Sequence, residues 1–241
     1  MLNKSKVNFN LIIIIYTFLL MLFCTNSSPI INFTSIDSSV FFAIGRAMAK
    51  GKIMFKELFD HKGFYLYLFN YIAALISFKS ALGIFIVETC FMSISALIIF
   101  KTCKIFYDDN RTAFLAMAVL MLFVLRTETY EGGNLTETYN IALEFIAIYL
   151  LLKDLYQENS QHRPLLMLGQ GVLAGIAIGL RPNGALMWLP VGLLIGFDLL
   201  FIKRDLKLFC KNLIYGLCGL AIALAPVIIY CVIINVIIII V

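Results

Sequence analysis

Between Asp37 and Lys62 the chain gathers Asp37, Glu57, Asp60 and His61 with five cations: Arg46, Lys50, Lys52, Lys56 and Lys62. A carboxylate can take a proton from an attacking hydroxyl when it lies within hydrogen-bond reach. Arginine offers phosphate oxygens a forked pair of donors, and lysine offers a compact point charge. Two more patches carry the same residue types. One is Arg126 to Thr138 (RTETYEGGNLTET), with Glu128, Glu131 and Glu137 around Gly132-Gly133; the other is Arg181-Pro182-Asn183. The chemistry within reach is proton transfer beside an anion clamp. Each residue also has a plainer use. Asp37 or Ser38 can cap a helix, Lys62 can pair with lipid headgroups, Arg181 can snorkel to an interface, and the acidic loop can be a solvated turn.

The elements that hold these patches are read from composition. Hydrophobic residues make up 62% of the 241 and charged residues only 14%, with mean hydropathy +0.97. Repeated apolar runs of that kind imply several membrane-spanning helices, and polar groups gathered in such a chain mark a working site. The net charge of +5 comes without a basic domain of interleaved aromatics, so nucleic acid is not an expected partner. The six cysteines lie in or beside apolar runs with no C-x-x-C pair and read as small buried hydrophobes. His61 stands apart from His162, so a histidine-built metal site is not expected.

Apolar runs follow Lys4 and Lys6 at residues 9–24, then at 64–78, 81–100, 112–126, 139–152, 165–180, 184–202 and 213–234. No small-residue cleavage site follows the first run, so it reads as an uncleaved helix with a cytoplasmic N-terminus. Lys101, Lys104 and Arg111, then Lys153, His162 and Arg163, then Lys203, Arg204, Lys207 and Lys211 mark cytoplasmic loops. Residues 25–63, 126–138 and 181–183 then face outward. The run 64–78 is short of the roughly 20 residues a span needs, and both its ends fall outside, so it reads as a re-entrant or interfacial helix. A short tilted span with a different downstream topology is the alternative. The expected fold is all-α: one polytopic membrane domain over 1–241 with about seven spans and no separate soluble domain. Its first extracytoplasmic loop, 25–63, carries an amphipathic juxtamembrane helix ended by Gly51.

Four motifs in order resemble a known family. They are Asp37-Ser38-Ser39-Val40-Phe41 after the first helix with the G-R-A-M-A-K-G stretch, and Phe59-Asp60-His61-Lys62-Gly63 followed by Tyr-Leu-Tyr. Then come Gly132-Gly133-Asn134-Leu135-Thr136-Glu137 and Gly179-Leu180-Arg181-Pro182-Asn183. The pattern resembles the multi-spanning GT-C glycosyltransferases that use polyprenyl-phosphate sugars, in the mannosyltransferase/aminoarabinose-transferase-like branch of bacterial cell-envelope enzymes. The resemblance covers nearly the whole chain. It implies transfer of a sugar from a polyprenyl-phosphate donor to a glycan or cell-envelope polymer on the extracytoplasmic side of the cell membrane. By that resemblance Asp37 is the base, and Lys62 and Arg181, with Arg46, hold the departing phosphate. Asp60, His61, Asn134 and Glu137 bind the acceptor or support those cations. No cofactor is certain, and a divalent metal stays open.

The chain departs from the pattern in two ways. Phe64 stands where many relatives have proline, and relatives are about twice as long. Ending within its eighth apolar run, the chain reads as a GT-C-like N-terminal half: a fragment, a disrupted gene product or half of a split enzyme. Two other readings compete. A transporter or flippase of lipid-linked sugars needs polar groups and broken helices near mid-membrane, whereas these runs look clean apart from Glu88. A noncatalytic scaffold leaves three outward polar patches unexplained.

Overall fold

The structure is a computed structural model and describes residues 8–126, 130–156 and 164–234. Lys4, Lys6, Glu128, His162 and Arg163 lie outside the described residues. Nine α-helices are described: α1 (Phe9–Cys24), α2 (Ile36–Ala49), α3 (Phe64–Ile76), α4 (Leu82–Phe106), α5 (Asn110–Val124), α6 (Thr136–Tyr156), α7 (Pro164–Leu180), α8 (Trp188–Phe197) and α9 (Leu206–Ile233). A 3₁₀ turn at Pro182–Met187 precedes α8, and a π-helical turn at Asp198–Ile202 follows it. The protein is a helical membrane bundle. Among the described residues three segments are long and apolar enough to cross a membrane: α4, the stretch Pro182–Ile202 and α9. The apolar helices α1, α5 and α7 are shorter, and they run beside the long ones.

Side-chain contacts give the direction of each segment. Phe9 at the start of α1 stacks on Phe100 near the end of α4, 6.0 Å between ring centroids. Phe106, ending α4, meets Tyr156, ending α6. At the opposite end, Leu180 closes α7 beside Gly63, and Tyr230 near the end of α9 reaches the Met54 carbonyl. Seven segments thus alternate between two ends: α1, α4, α5, α6, α7, the 182–202 stretch and α9.

Helices α2 and α3 both sit at the second end. Gly63, which opens α3, donates its N–H to the Leu180 carbonyl at 2.9 Å. Asn70 in its middle joins Asn134. Ala73 near its close lies so near Gly83 that a Cβ there would stand 1.9 Å from the Ala73 oxygen. Its 13 residues span about 20 Å at 1.5 Å each, against a hydrocarbon core of about 30 Å. Both ends of α3 meet one end of the bundle, as a re-entrant or interfacial helix requires.

Local signals place the helix ends, and they correct two expectations. Ser35 caps α2, its hydroxyl accepting from the Ser38 N–H, so Asp37 lies in the first turn and neither Asp37 nor Ser38 is the cap. Ser35 wins because the helix starts one residue before Asp37, at Ile36, whose side chain is 85% exposed. Gly51 ends α2 as expected, with φ +89. Its N–H bonds the Met48 carbonyl and that of Lys52 bonds Ala47, the paired bonds of a Schellman close. The last helix begins at Leu206, not at 213, because Asp205 caps it by accepting from the Leu208 N–H at 2.9 Å; Lys207 and Lys211 therefore ride on a helix. The expected span at 184–202 runs as the stretch Pro182–Ile202, passing from 3₁₀ to α to π helix along its length. Arg181 is extended ahead of Pro182, since the residue before proline is pushed out of the helical region, and the chain restarts through the 3₁₀ turn.

Packing is most extensive between α7 and α9. A Cβ on Gly171 would stand 2.0 Å from the Gly216 oxygen, and one on Gly219 would stand 2.1 Å from that of Leu168. Small residues let two backbones approach within lipid, where the hydrophobic effect does not drive helices together. Gln170 ties this pair to its neighbours, donating to the Ala147 carbonyl of α6 and accepting from the Trp188 indole N–H of α8.

Candidate active site

The return of the chain from α2 to α3 is held rigidly. Glu57 closes the turn that precedes it, accepting from Lys52 Nζ and the Ile53 N–H, both at 2.8 Å. These bonds hold its carboxyl below the ordinary glutamate range, the lysine contributing most. Asp60 Oδ1 accepts from the His61 N–H and lies 2.8 Å from His61 Nδ1. The Tyr67 side chain is fully buried, and its hydroxyl accepts from the Lys62 N–H at 3.1 Å. The His61 ring is exposed, Asp60 fixes the His61 backbone and Tyr67 that of Lys62.

Gly63 then brings Lys62 to Arg181. A Cβ at Gly63 would lie 2.1 Å from the Gly179 oxygen, so only glycine permits the Gly63–Leu180 backbone bond. Phe64 tilts against Tyr230 of α9 with centroids 4.7 Å apart. Arg181 forms an ion pair through Nη1 with Glu137 Oε1, and the Thr136 hydroxyl donates to Glu137 Oε2 at 2.7 Å. Glu137 precedes the apolar run of α6 at the rim. Burial pushes its carboxyl up, but the Thr136 hydroxyl, its own backbone N–H, Arg181 and Lys62 together hold it below the ordinary range. Lys62, Glu137 and Arg181 therefore form one charged cluster assembled from three separate stretches.

A cavity of about 270 Å³ opens beside that cluster, lined by Glu137, Asn140, Glu144, Arg181, Asn183 and Gly184 among others. Asn140 and Glu144 were hidden inside what reads as the apolar run 139–152. Their signal in the sequence is spacing: Glu137, Asn140 and Glu144 recur at i, i+3 and i+7, one face of a helix.

The remaining expected residues take varied positions. Asp37 is exposed in the first turn of α2, next to Ser38, whose carbonyl and hydroxyl accept from Asn134 Nδ2. Asn134 is 1% exposed and also donates to Asn70 Oδ1 while accepting from the Tyr139 hydroxyl at 2.7 Å. Its side chain is thus spent on joining α2, α3 and α6. Arg46 is half-buried with its guanidinium 4.8 Å over the Phe42 ring, in the last turn of α2. Gly132 and Gly133 have φ of +80 and +92, and the close approach they allow is to protein: a Cβ on Gly133 would lie 2.2 Å from Glu88 Oε1. Glu88, fully buried in α4, accepts from Thr25, Ser27 and Tyr130 and from the Asn134 N–H. It anchors the outgoing loops of α1 and α5 rather than lining the cavity. Among the described residues no three of His, Cys, Asp and Glu gather as a metal site.

Residues 60–230 match the family model of the dolichyl-phosphate-mannose-protein mannosyltransferases. The chain belongs to that family. The match covers well over half of the chain, takes in Asp60, His61, Lys62, Asn134, Glu137 and Arg181, and begins after Asp37 and Arg46. Membership in the mannosyltransferase family supports a membrane glycosyltransferase of the GT-C type. Neither the curated proteins nor the solved structures compared with the chain gave a match.

Proposed function

We propose that the chain transfers a sugar from a polyprenyl-phosphate donor to a glycan or cell-envelope acceptor, at a site on the extracytoplasmic face of the cell membrane. The observation that carries this reading is the Gly63–Leu180 backbone bond, which brings the Lys62 loop up to the end of α7, where Arg181 lines a polar cavity. Arg181 at that mouth, with Lys62 in the neighbouring loop, stabilises the negative charge that develops on a departing lipid phosphate. Arg181 already pairs with Glu137, so the carboxylate holds the guanidinium in place and yields one edge of it to the phosphate. Asp37, on the short helix over the same end, takes the proton from the acceptor hydroxyl as it attacks the anomeric carbon. Arg46 completes the phosphate's surroundings, and Asp60, His61 and Asn134 support the loop geometry.

The test is transfer of radiolabelled sugar from a polyprenyl-phosphate hexose by purified protein in lipid. Asp37→Asn is expected to lower the rate about 10²–10⁴-fold, the usual contribution of a general base, with the protein still folded in the membrane. Undiminished transfer by that variant overturns the assignment. A second reading, a transporter of lipid-linked sugars, is favoured by two observations: Glu144 within α6 and the break of 182–202 into three helical types. Movement of the labelled lipid across proteoliposomes without sugar transfer would select it.

A further inference from the structure

The cavity beside Arg181 continues past its charged mouth into the membrane-crossing part of α6. Glu144 lies two helical turns beyond Glu137, about 10 Å along the axis. A carboxylate at such a depth is costly to desolvate and persists where it faces a polar cavity. Asn140 Nδ2 donates to Glu144 Oε1 at 2.7 Å and to the Gly184 carbonyl at 3.2 Å. Because both neighbours of that nitrogen are acceptors, the amide cannot be turned over. Its oxygen, Oδ1, is buried and has no hydrogen-bond partner.

The residues lining the floor therefore carry acceptors: the Glu144 carboxylate and, closed off just behind it, the unpartnered Asn140 Oδ1. The cation of this cavity, Arg181, stands at the mouth and is paired with Glu137. An acceptor-rich floor repels phosphate, and an alkyl chain would leave the Asn140 oxygen unmatched. A group bearing several O–H donors satisfies both residues, and the space of about 270 Å³ lies just below the range for drug-sized ligands, so it suits one sugar ring rather than an oligosaccharide.

We infer that Asn140 and Glu144 bind ring hydroxyls of the sugar carried by the donor lipid, with its phosphate held above at Lys62 and Arg181. This rests on the donor reading proposed above and adds the part of the site that recognises the sugar. Both residues are substrate-binding groups. Glu144 orients Asn140 through the 2.7 Å bond, so that one hydroxyl donates to Oδ1 while its neighbour donates to the carboxylate. Sites built to hydrogen-bond a substrate hydroxyl discriminate steeply against analogues that lack it.

The experiment measures binding of radiolabelled polyprenyl-phosphate hexose and of bare polyprenyl phosphate to the full chain in phospholipid nanodiscs. The wild type is expected to hold the hexose lipid about tenfold tighter than the bare lipid, the effect of one or two net hydrogen bonds. Glu144→Gln and Asn140→Leu are expected to remove most of that preference and leave bare-lipid affinity unchanged. Deoxyhexose lipids offered to the unmodified protein should show the same loss, a readout that needs no variant to fold. Variants that keep the full preference overturn this inference, as does a wild type that binds both lipids equally while the phosphate reading stands. A wild type that binds neither lipid overturns the donor reading and this inference together.

Discussion

Arg181 carries more of the proposed chemistry than any other single residue, because its position depends on so little freedom. The extended conformation ahead of Pro182, the ion pair to Glu137 and the neighbouring Gly63–Leu180 bond all fix it. Arg181→Ala is expected to lower kcat/KM about 10²–10³-fold, the scale of removing one preorganised charge-stabilising donor. Arg181→Lys should recover only part of the loss, since lysine cannot offer the fork. Transfer assays at several donor concentrations check both. Glu137 makes a pH prediction. Its folded-state carboxyl is held below its unfolded value, so its pairing stabilises the protein above the ordinary glutamate range. That stabilisation is lost as pH falls through the depressed value. Thermal unfolding should therefore separate wild type from Glu137→Gln near neutrality, and the two curves should converge in acid. Lys62, Glu137 and Arg181 were legible in the sequence because charge is scarce there and each stands at the edge of an apolar run. Glu144 was not. It is flanked by Ala142, Leu143, Phe145 and Ile146, and hydropathy averaged over a span absorbs one carboxylate, leaving only the i, i+3, i+7 spacing as a trace.

Each element that places the site does so through close backbone approach, and that is where the sequence was least readable. Apolar runs mark where helices lie, but they do not say that α7 and α9 touch backbone to backbone at Gly171 and Gly216. Such a seam is legible only as spaced small residues, a pattern shared by many unpartnered helices. Gly171→Val puts three carbon atoms into space where even a Cβ would meet the Gly216 oxygen at 2.0 Å. The helices must then part, and Arg181 moves with the end of α7. We expect a loss of several degrees in unfolding temperature in detergent, in line with the roughly 1–3 kcal/mol typical of overpacking, with kcat/KM falling alongside. Val on the open face of α8 at Gly192, where a Cβ meets nothing within 4 Å, is the control and should change neither quantity. The helix boundaries that the hydropathy pattern missed share one cause. Ser35 and Asp205 are polar residues outside the apolar runs, and capping starts a helix before its apolar stripe does.

The whole molecule places every charged cluster of the proposed site at one end of the bundle and Lys101, Lys104, Lys203 and Arg204 at the other. Basic residues in short loops favour the cytoplasmic side, so the cavity should open outward. The alternation of seven segments makes this a single yes-or-no question, because inverting one segment would separate Lys62 from Arg181. It can be answered with cysteine labelling. All six native cysteines would be replaced, and one new cysteine placed at Glu57 or at Arg204, both exposed. A membrane-impermeant maleimide applied to intact cells should label the cysteine at 57 and spare the one at 204. Permeabilising the cells should then label both. The reverse pattern would turn the site toward the cytoplasm and with it the source of donor and acceptor. Labelling of both in intact cells would mean a bundle that does not hold one orientation, which the fixed contact of Gly63 with Leu180 cannot by itself forbid, since that contact is the same whichever way the bundle is inserted.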